Sequence, residues 1–229
     1  MIGYFFVVNL YNNIQNFIFA FMIYYSSVIA NRAKICSQFP SLVRKRRIWH
    51  DFLVEGKVLN FGCGNIKAAN YQEIKSIFRD VKSCDNDPTA GADYNSINSI
   101  DEKFDLIIGE HVLEHIKVED VINGLVQKFN SLLNENGKLV LTIPNLYNFG
   151  AYFNHFDHKN SAPPIDLAAI ICCANFDLID MFKWSKDKHM INQANMSKID
   201  QYLEAFLESN YGLQMDRYIT MVFAKNGQV

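Results

Sequence analysis

The feature that most constrains this chain is the run Lys57-Val58-Leu59-Asn60-Phe61-Gly62-Cys63-Gly64, followed by acids at Asp85 and Asp87. A short apolar run ending in glycines reads as a β-strand that turns sharply. Glycine supplies the turn and carries no Cβ to obstruct a ligand approaching the backbone. Asp85 lies 21 residues beyond Gly64. That spacing places a carboxylate at the end of the next strand, where it can accept hydrogen bonds from ribose hydroxyls. The pattern calls for an α/β fold with a pocket for an adenosine-containing cofactor.

From Lys57 onward, short β-rich runs alternate with helix-length segments. Strands are expected at Lys57–Phe61, Val81–Asp85, Ala92–Ile97, Phe104–Ile108, Lys138–Ile143, Phe176–Phe182 and Arg217–Lys225. Helices are expected at Ile66–Arg79, Glu119–Asn134, Ile165–Ala174 and Ser197–Ser209, with Gly137 as the stop after the second. Phe104-Asp105-Leu106-Ile107-Ile108 has the continuous apolar character of a strand buried on both faces. The alternation implies a Rossmann-like, mostly parallel sheet with helices on both faces; the last strand is expected to run antiparallel. Ligands of such sheets bind at the carboxyl ends of the strands. Gly62–Gly64, Asp85, Glu110–His111 and Pro144–Asn145 should therefore converge on one crevice.

Composition narrows the function classes. With 229 residues and 49% hydrophobic content the chain can bury a full core. A net charge of −2 argues against a polyanion binder, so no nucleic-acid partner is expected. The five cysteines (Cys36, Cys63, Cys84, Cys172, Cys173) are odd in number and lack a C-x-x-C pair. They read as reduced thiols of a cytoplasmic protein rather than a disulfide framework or zinc cluster.

The amino terminus differs from the rest. No charged residue occurs from Met1 to Asn31, and Arg32, Lys34, Arg44, Lys45, Arg46 and Arg47 then follow closely. Ile14, Phe17, Ile18, Phe21, Met22, Tyr25, Val28 and Ile29 fall on one helical stripe. Three readings stay open for this apolar helical segment: spanning a membrane, lying in its interface, or packing as a lid on the domain or on a second copy. The chain divides accordingly into residues 1–50, the apolar and basic helical segment, and residues 51–229, the catalytic-type domain.

Four segments together resemble the class I S-adenosylmethionine-dependent methyltransferases, and more closely the small-molecule branch with an L-E-H-I signature. They are Val58–Gly64, Cys84-Asp85-Asn86-Asp87-Pro88, Phe104–Ile116 and Leu132–Asn145. A looser match runs from His155 to Phe176. The resemblance implies S-adenosylmethionine as cofactor and methyl transfer to a small-molecule, lipid-linked or glycan-type acceptor. It implies that Gly62, Cys63 and Gly64 line the methionine and ribose portion, that Asp85 binds the ribose, and that Asn86 flanks the adenine. Asp93 or Asn95 would face the adenine amino group, and Glu110 and His111 would lie beside the cofactor. Asn60 stands where the family often has an acid, and Ile66 where it often has a third glycine. Both departures leave open a non-catalytic, membrane-associated binding module on the same fold.

His111-Val112-Leu113-Glu114-His115 also spells H-x-x-E-H, which binds zinc in one class of peptidase. The α/β context and the lack of an evident third ligand argue against that use, and no metal is expected. His111, His155 and His158 are the candidate bases should the acceptor be a hydroxyl. Tyr147, Tyr152, Phe153 and Phe156 could wall the acceptor pocket.

Overall fold

The computed structural model describes residues 22, 24–39, 41–45, 49–52, 54–148, 155–184, 202, 206 and 216–226. Its centre is a sheet of seven strands: β1 (Val43–Arg44), β2 (Lys57–Phe61), β3 (Asp80–Cys84), β4 (Phe104–Glu110), β5 (Leu133–Pro144), β6 (Phe176–Trp184) and β7 (Tyr218–Lys225). They lie in the order β1-β6-β7-β5-β4-β2-β3. Strands β3, β2, β4 and β5 pair in parallel, while β7 runs antiparallel to both β5 and β6. The expected parallel sheet with an antiparallel last strand is therefore present. The order reverses between β2 and β4, which makes their carboxyl ends the natural ligand crevice.

Strand alternation builds two cores. Leu59, Ile107, Leu139 and Phe223 face one side, and Val58, Leu106, Ile108, Val140 and Val222 face the other. The first side is covered by helix α1 (residues 24–38), by α3 and by α4 (Pro164–Cys172). Helix α3 joins three pieces: Val118–Asp120, a π-turn at Val121–Leu125, and Val126–Leu132. The second side is covered by α2 (Ala69–Ile77) and the Trp49–Phe52 turn. Phe129 of α3 meets Phe61, the last residue of β2, edge-to-face at 5.1 Å.

Helix α1 packs on the domain through Ile35, which is buried, and through partly buried Val28. Arg32 pairs with Asp166 at 2.6 Å, Lys34 with Asp177 at 3.3 Å, and Lys45 with Asp180 at 2.6 Å. These members of the basic run thus face domain carboxylates. The expected single apolar stripe divides: Val28 turns inward, whereas Met22, Tyr25 and Ile29 are exposed. Residues 1–21, Arg46 and Arg47 lie outside the described residues. Among the described residues no helix is long and apolar enough to cross a membrane.

Three expectations are corrected. Ala92–Ile97 is not a strand; only Tyr94 bridges to Cys84, because Asp93 and Ser96 bond backbone amides with their side chains. Helix α2 starts at Ala69 rather than Ile66, since the Ile66 amide donates to Ala90 O at 3.1 Å. Helix α3 stops at Leu132 rather than Asn134, because Leu133 pairs with Phe104 in the sheet. Asn136, at φ 63°, takes the left-handed position beside Gly137. The strand Val43–Arg44 and the Trp49–Phe52 turn had no counterpart in the sequence reading. The Ser197–Ser209 helix lies almost wholly outside the described residues, where only 202 and 206 are described and helical.

Two consequences can be measured. Phe129→Ala removes a fully buried ring behind the end of β2 and should cost about 3–5 kcal/mol in denaturant unfolding. Asp93 accepts from the Ser83 amide at 2.8 Å and hydroxyl at 2.7 Å. Burial pushes its carboxyl up, but the Ser83 hydrogen bonds and Lys82 outweigh that and hold it below the usual range. A depressed folded-state value means stability that is fully present above the unfolded value and is lost as pH falls through the folded one. The stability gap between wild type and Asp93→Asn should therefore narrow as the solution is acidified. A gap constant with pH would contradict this assignment.

Candidate active site

The site begins where β2 ends. Gly62, at φ 66°, donates its amide to Cys84 O at 2.8 Å, tying the turn to the end of β3. A Cβ on Gly62 would overlap the side chain of Val112, so this glycine is required by close approach as well as by φ. Gly64, at φ 59°, donates to Asp85 Oδ2 at 2.7 Å, and the Asp87 amide donates to Oδ1 at 2.9 Å. A Cβ on Gly64 would meet nothing within 4 Å, so the turn is open on that side.

These features fit an adenosine-containing cofactor. Backbone lies bare beside open space, and a fixed carboxylate keeps lone pairs beyond the two amide bonds. Ile66 does not narrow this opening; its side chain packs toward the backbone of Gly91, within 3.4 Å of where a Cβ there would stand. Cys63 is half-buried, and burial followed by the charge of Asp85 pushes its thiol up to about 12. It lines the turn as a neutral, unreactive group.

The remaining cofactor candidates separate by environment. Asn86 is exposed at the tip of the β3 loop. Asn60 is buried on the Val58 face of β2 and is 3% exposed, so it supports the turn from beneath. Asp93 is engaged by Ser83 and faces away from the role of adenine acceptor, while Asn95 is exposed. Glu110 ends β4 opposite Thr142.

The histidines gather around the turn that follows β4. His111 holds φ 55°, an uncommon conformation for a residue with a Cβ, and its amide donates to Thr142 O at 2.9 Å. This sets its ring edge-on to Tyr218 at 4.7 Å and places Nδ1 3.4 Å from Glu114 Oε1. Leu113–His115 is a single 3₁₀ turn, so H-x-x-E-H does not lie on an α-helix. Lys159 and Asn160 donate their amides to Glu114 O at 2.6 and 3.0 Å, drawing the 155–160 loop over that turn. His158 meets the His115 ring at 5.1 Å and stacks on His155 at 5.1 Å. Asp157 lies 3.1 Å from His115 Nδ1.

His111, Glu114, His115, His155 and His158 together line a cavity of about 250 Å³, closed by Pro144, Arg217 and Tyr218. All three candidate bases thus share one space, whose lining includes neither the glycine turn nor Asp85. Arg217 and Tyr218 went unnoticed in the sequence, where they mark only the start of a strand. Asn145 positions them: it is buried, its amide donates to Arg217 O at 2.8 Å, and Nδ2 donates to Asp216 O at 2.8 Å. Phe156 is fully exposed, and Tyr152 and Phe153 lie outside the described residues.

The fold is shared with known enzymes. An S-adenosylmethionine-dependent methyltransferase from Archaeoglobus fulgidus superposes with TM-score 0.56 at 16% identity, over 86% of this chain and 94% of that one. One from Clostridium acetobutylicum gives 0.52 at 11% identity, over 89% and 92%. One from Mesorhizobium loti gives 0.51 at 13% identity, over 77% and 95%. At such identities the likeness establishes the fold. No curated protein matches the sequence. Residues 42–164, more than half of the chain, match the model of the methyltransferase domain. The chain therefore belongs to the methyltransferase-domain family.

Proposed function

We propose that this enzyme, a cytoplasmic member of the small-molecule branch with the L-E-H-I signature, methylates an oxygen nucleophile on a small-molecule, lipid-linked or glycan-type acceptor. The observation that carries this reading is the histidine-lined cavity beside the turn that follows β4. At about 250 Å³ it is smaller than pockets that enclose a drug-sized ligand. It suits one ring, sugar or headgroup, with the rest of the acceptor outside. The amino-terminal segment, residues 1–50, is a candidate contact for a lipid surface or a second copy, and residues 51–229 carry the chemistry.

S-adenosylmethionine, when bound, supplies an electrophilic methyl group on a sulfonium. Gly62 and Gly64 offer backbone against it, and Asp85 accepts from its ribose. The chain's further task is to orient the acceptor and exclude water. His111 is the base favoured by position. Its Nδ1 faces Glu114, which leaves Nε2 to take the acceptor's proton. His155 is exposed and His158 stands further along the loop, which suits them to acceptor contact.

Two measurements test this reading. In calorimetric titration with S-adenosylhomocysteine, Asp85→Ala should lose about 1–3 kcal/mol of binding, the value of hydrogen bonds to a buried partner. Equal binding by wild type and variant would remove Asp85 as the ribose ligand. With a labelled methyl donor and a hydroxyl acceptor, His111→Gln should lower kcat by roughly 10²–10⁴ while leaving S-adenosylhomocysteine affinity unchanged. An unaffected rate would exclude His111 as the base.

A further inference from the structure

We propose that Glu114, His115 and His158 form a site for one divalent transition metal ion, of the zinc class, at the wall of the acceptor cavity. Each offers a ligand atom, and the three atoms lie within 4.8 Å of one another. The sequence alone showed no third ligand for the H-x-x-E-H stretch. The fold supplies it from the 155–160 loop, held over the 3₁₀ turn by the two amide bonds to Glu114 O.

Glu114 is the decisive residue. It is 3% exposed, and among the described residues its Oε2 is buried without a hydrogen-bond partner. Burying a carboxylate oxygen in this way is costly unless a cation or proton meets it. The same side chain lines the cavity, His111 Nδ1 faces its Oε1, and His115 and His158 complete the cluster with two further imidazoles. Two histidines and one carboxylate form the ligand set of open catalytic zinc sites, and a nitrogen-rich set favours such ions over magnesium or calcium. Asp157, beside His115 Nδ1, provides the outer carboxylate that orients a ligating histidine. An alternative triad, His155, Asp157 and His158, shares one histidine but consists of more exposed groups and has no buried oxygen awaiting a cation.

Three protein ligands leave a coordination position for the cavity. There the ion would bind an acceptor hydroxyl and lower its pKa. The O–H proton passes to His111 Nε2, the oxygen forms a bond to the methyl carbon, and the methyl–sulfur bond breaks to release S-adenosylhomocysteine. This role rests on the oxygen-acceptor reading above; metal binding itself does not.

The test uses the full-length protein, stripped of metal with a chelator and titrated with Zn²⁺ by calorimetry and with Co²⁺ by visible absorption. The expected result is one ion per chain with micromolar or tighter affinity, and visible bands of low-symmetry Co²⁺. His158→Ala, at a partly exposed position, should weaken Zn²⁺ binding at least tenfold and abolish the bands. Glu114→Gln should do the same, and His115→Ala replaces it as the test if the buried variant does not fold. His155→Ala should leave binding intact. Binding no tighter in wild type than in His158→Ala would overturn the site. So would loss in His155→Ala with retention in Glu114→Gln. S-adenosylhomocysteine titration of the metal-free protein keeps the two proposals apart, since the cofactor cradle contains none of these ligands.

Discussion

The reversal of strand order between β2 and β4 is the constraint on which the rest of this structure depends. Because β3 lies outside β2 and the chain then returns to β4, the carboxyl ends of these strands open a gap without a crossing helix. The gap is held at its edges by backbone. Gly62 and Cys63 both donate to Cys84 O, and Gly64 donates to Asp85. These bonds fix the acid relative to the turn before any ligand arrives. Such preorganisation lowers the ordering cost of binding. After β4, Val112 fills the space a Gly62 side chain would take.

The charge distribution near the amino terminus follows from the same frame. Arg32, Lys34 and Lys45 meet three aspartates along α4 and β6. Each pair is substantially exposed and screened by solvent, so each contributes little to stability. Their value is in register: they select one orientation for a helix whose buried contacts are few. The inward face of α1 is set by Val28, Asn31 and Ile35, with Asn31 Nδ2 reaching Ala169 O at 3.4 Å. The outward face keeps Met22, Tyr25 and Ile29. A helix of this kind gains its position from charge and its adhesion from one narrow apolar line.

What was legible in the sequence was local. Phe104–Ile108 could only be a doubly covered strand, and Gly62 with Gly64 could only be a turn off β2. Asp85 followed from the length of one helix and one strand. The errors arose where a long-range partner competed with a local preference. Leu133 reads as the end of an amphipathic helix but is taken by the sheet beside Phe104. Ala92–Ile97 has strand-like residues, yet Asp93 and Ser96 satisfy nearby amides with their own side chains, and a single bridge survives. The acceptor half was hidden for a stronger reason. His158 reaches His115 only because two amides of its loop bond to Glu114 O, and no period or spacing announces that pairing.

His111 shows how the two halves are coupled. A residue at φ 55° costs conformational energy, about 1–2 kcal/mol for a side chain with a Cβ. An ordinary extended conformation there would continue β4 and carry the imidazole out of the cavity. The left-handed turn instead sends Val112 back over Gly62 and holds His111 against Tyr218 and Glu114. One strained residue therefore places the wall of the cofactor cradle and the candidate base of the acceptor cavity in a fixed relation. Methyl transfer needs this relation most, since the attacking nucleophile, the methyl carbon and its leaving group must lie in line. The strain sits at the end of a strand anchored through Thr142 O, so the sheet rather than the ligand absorbs it.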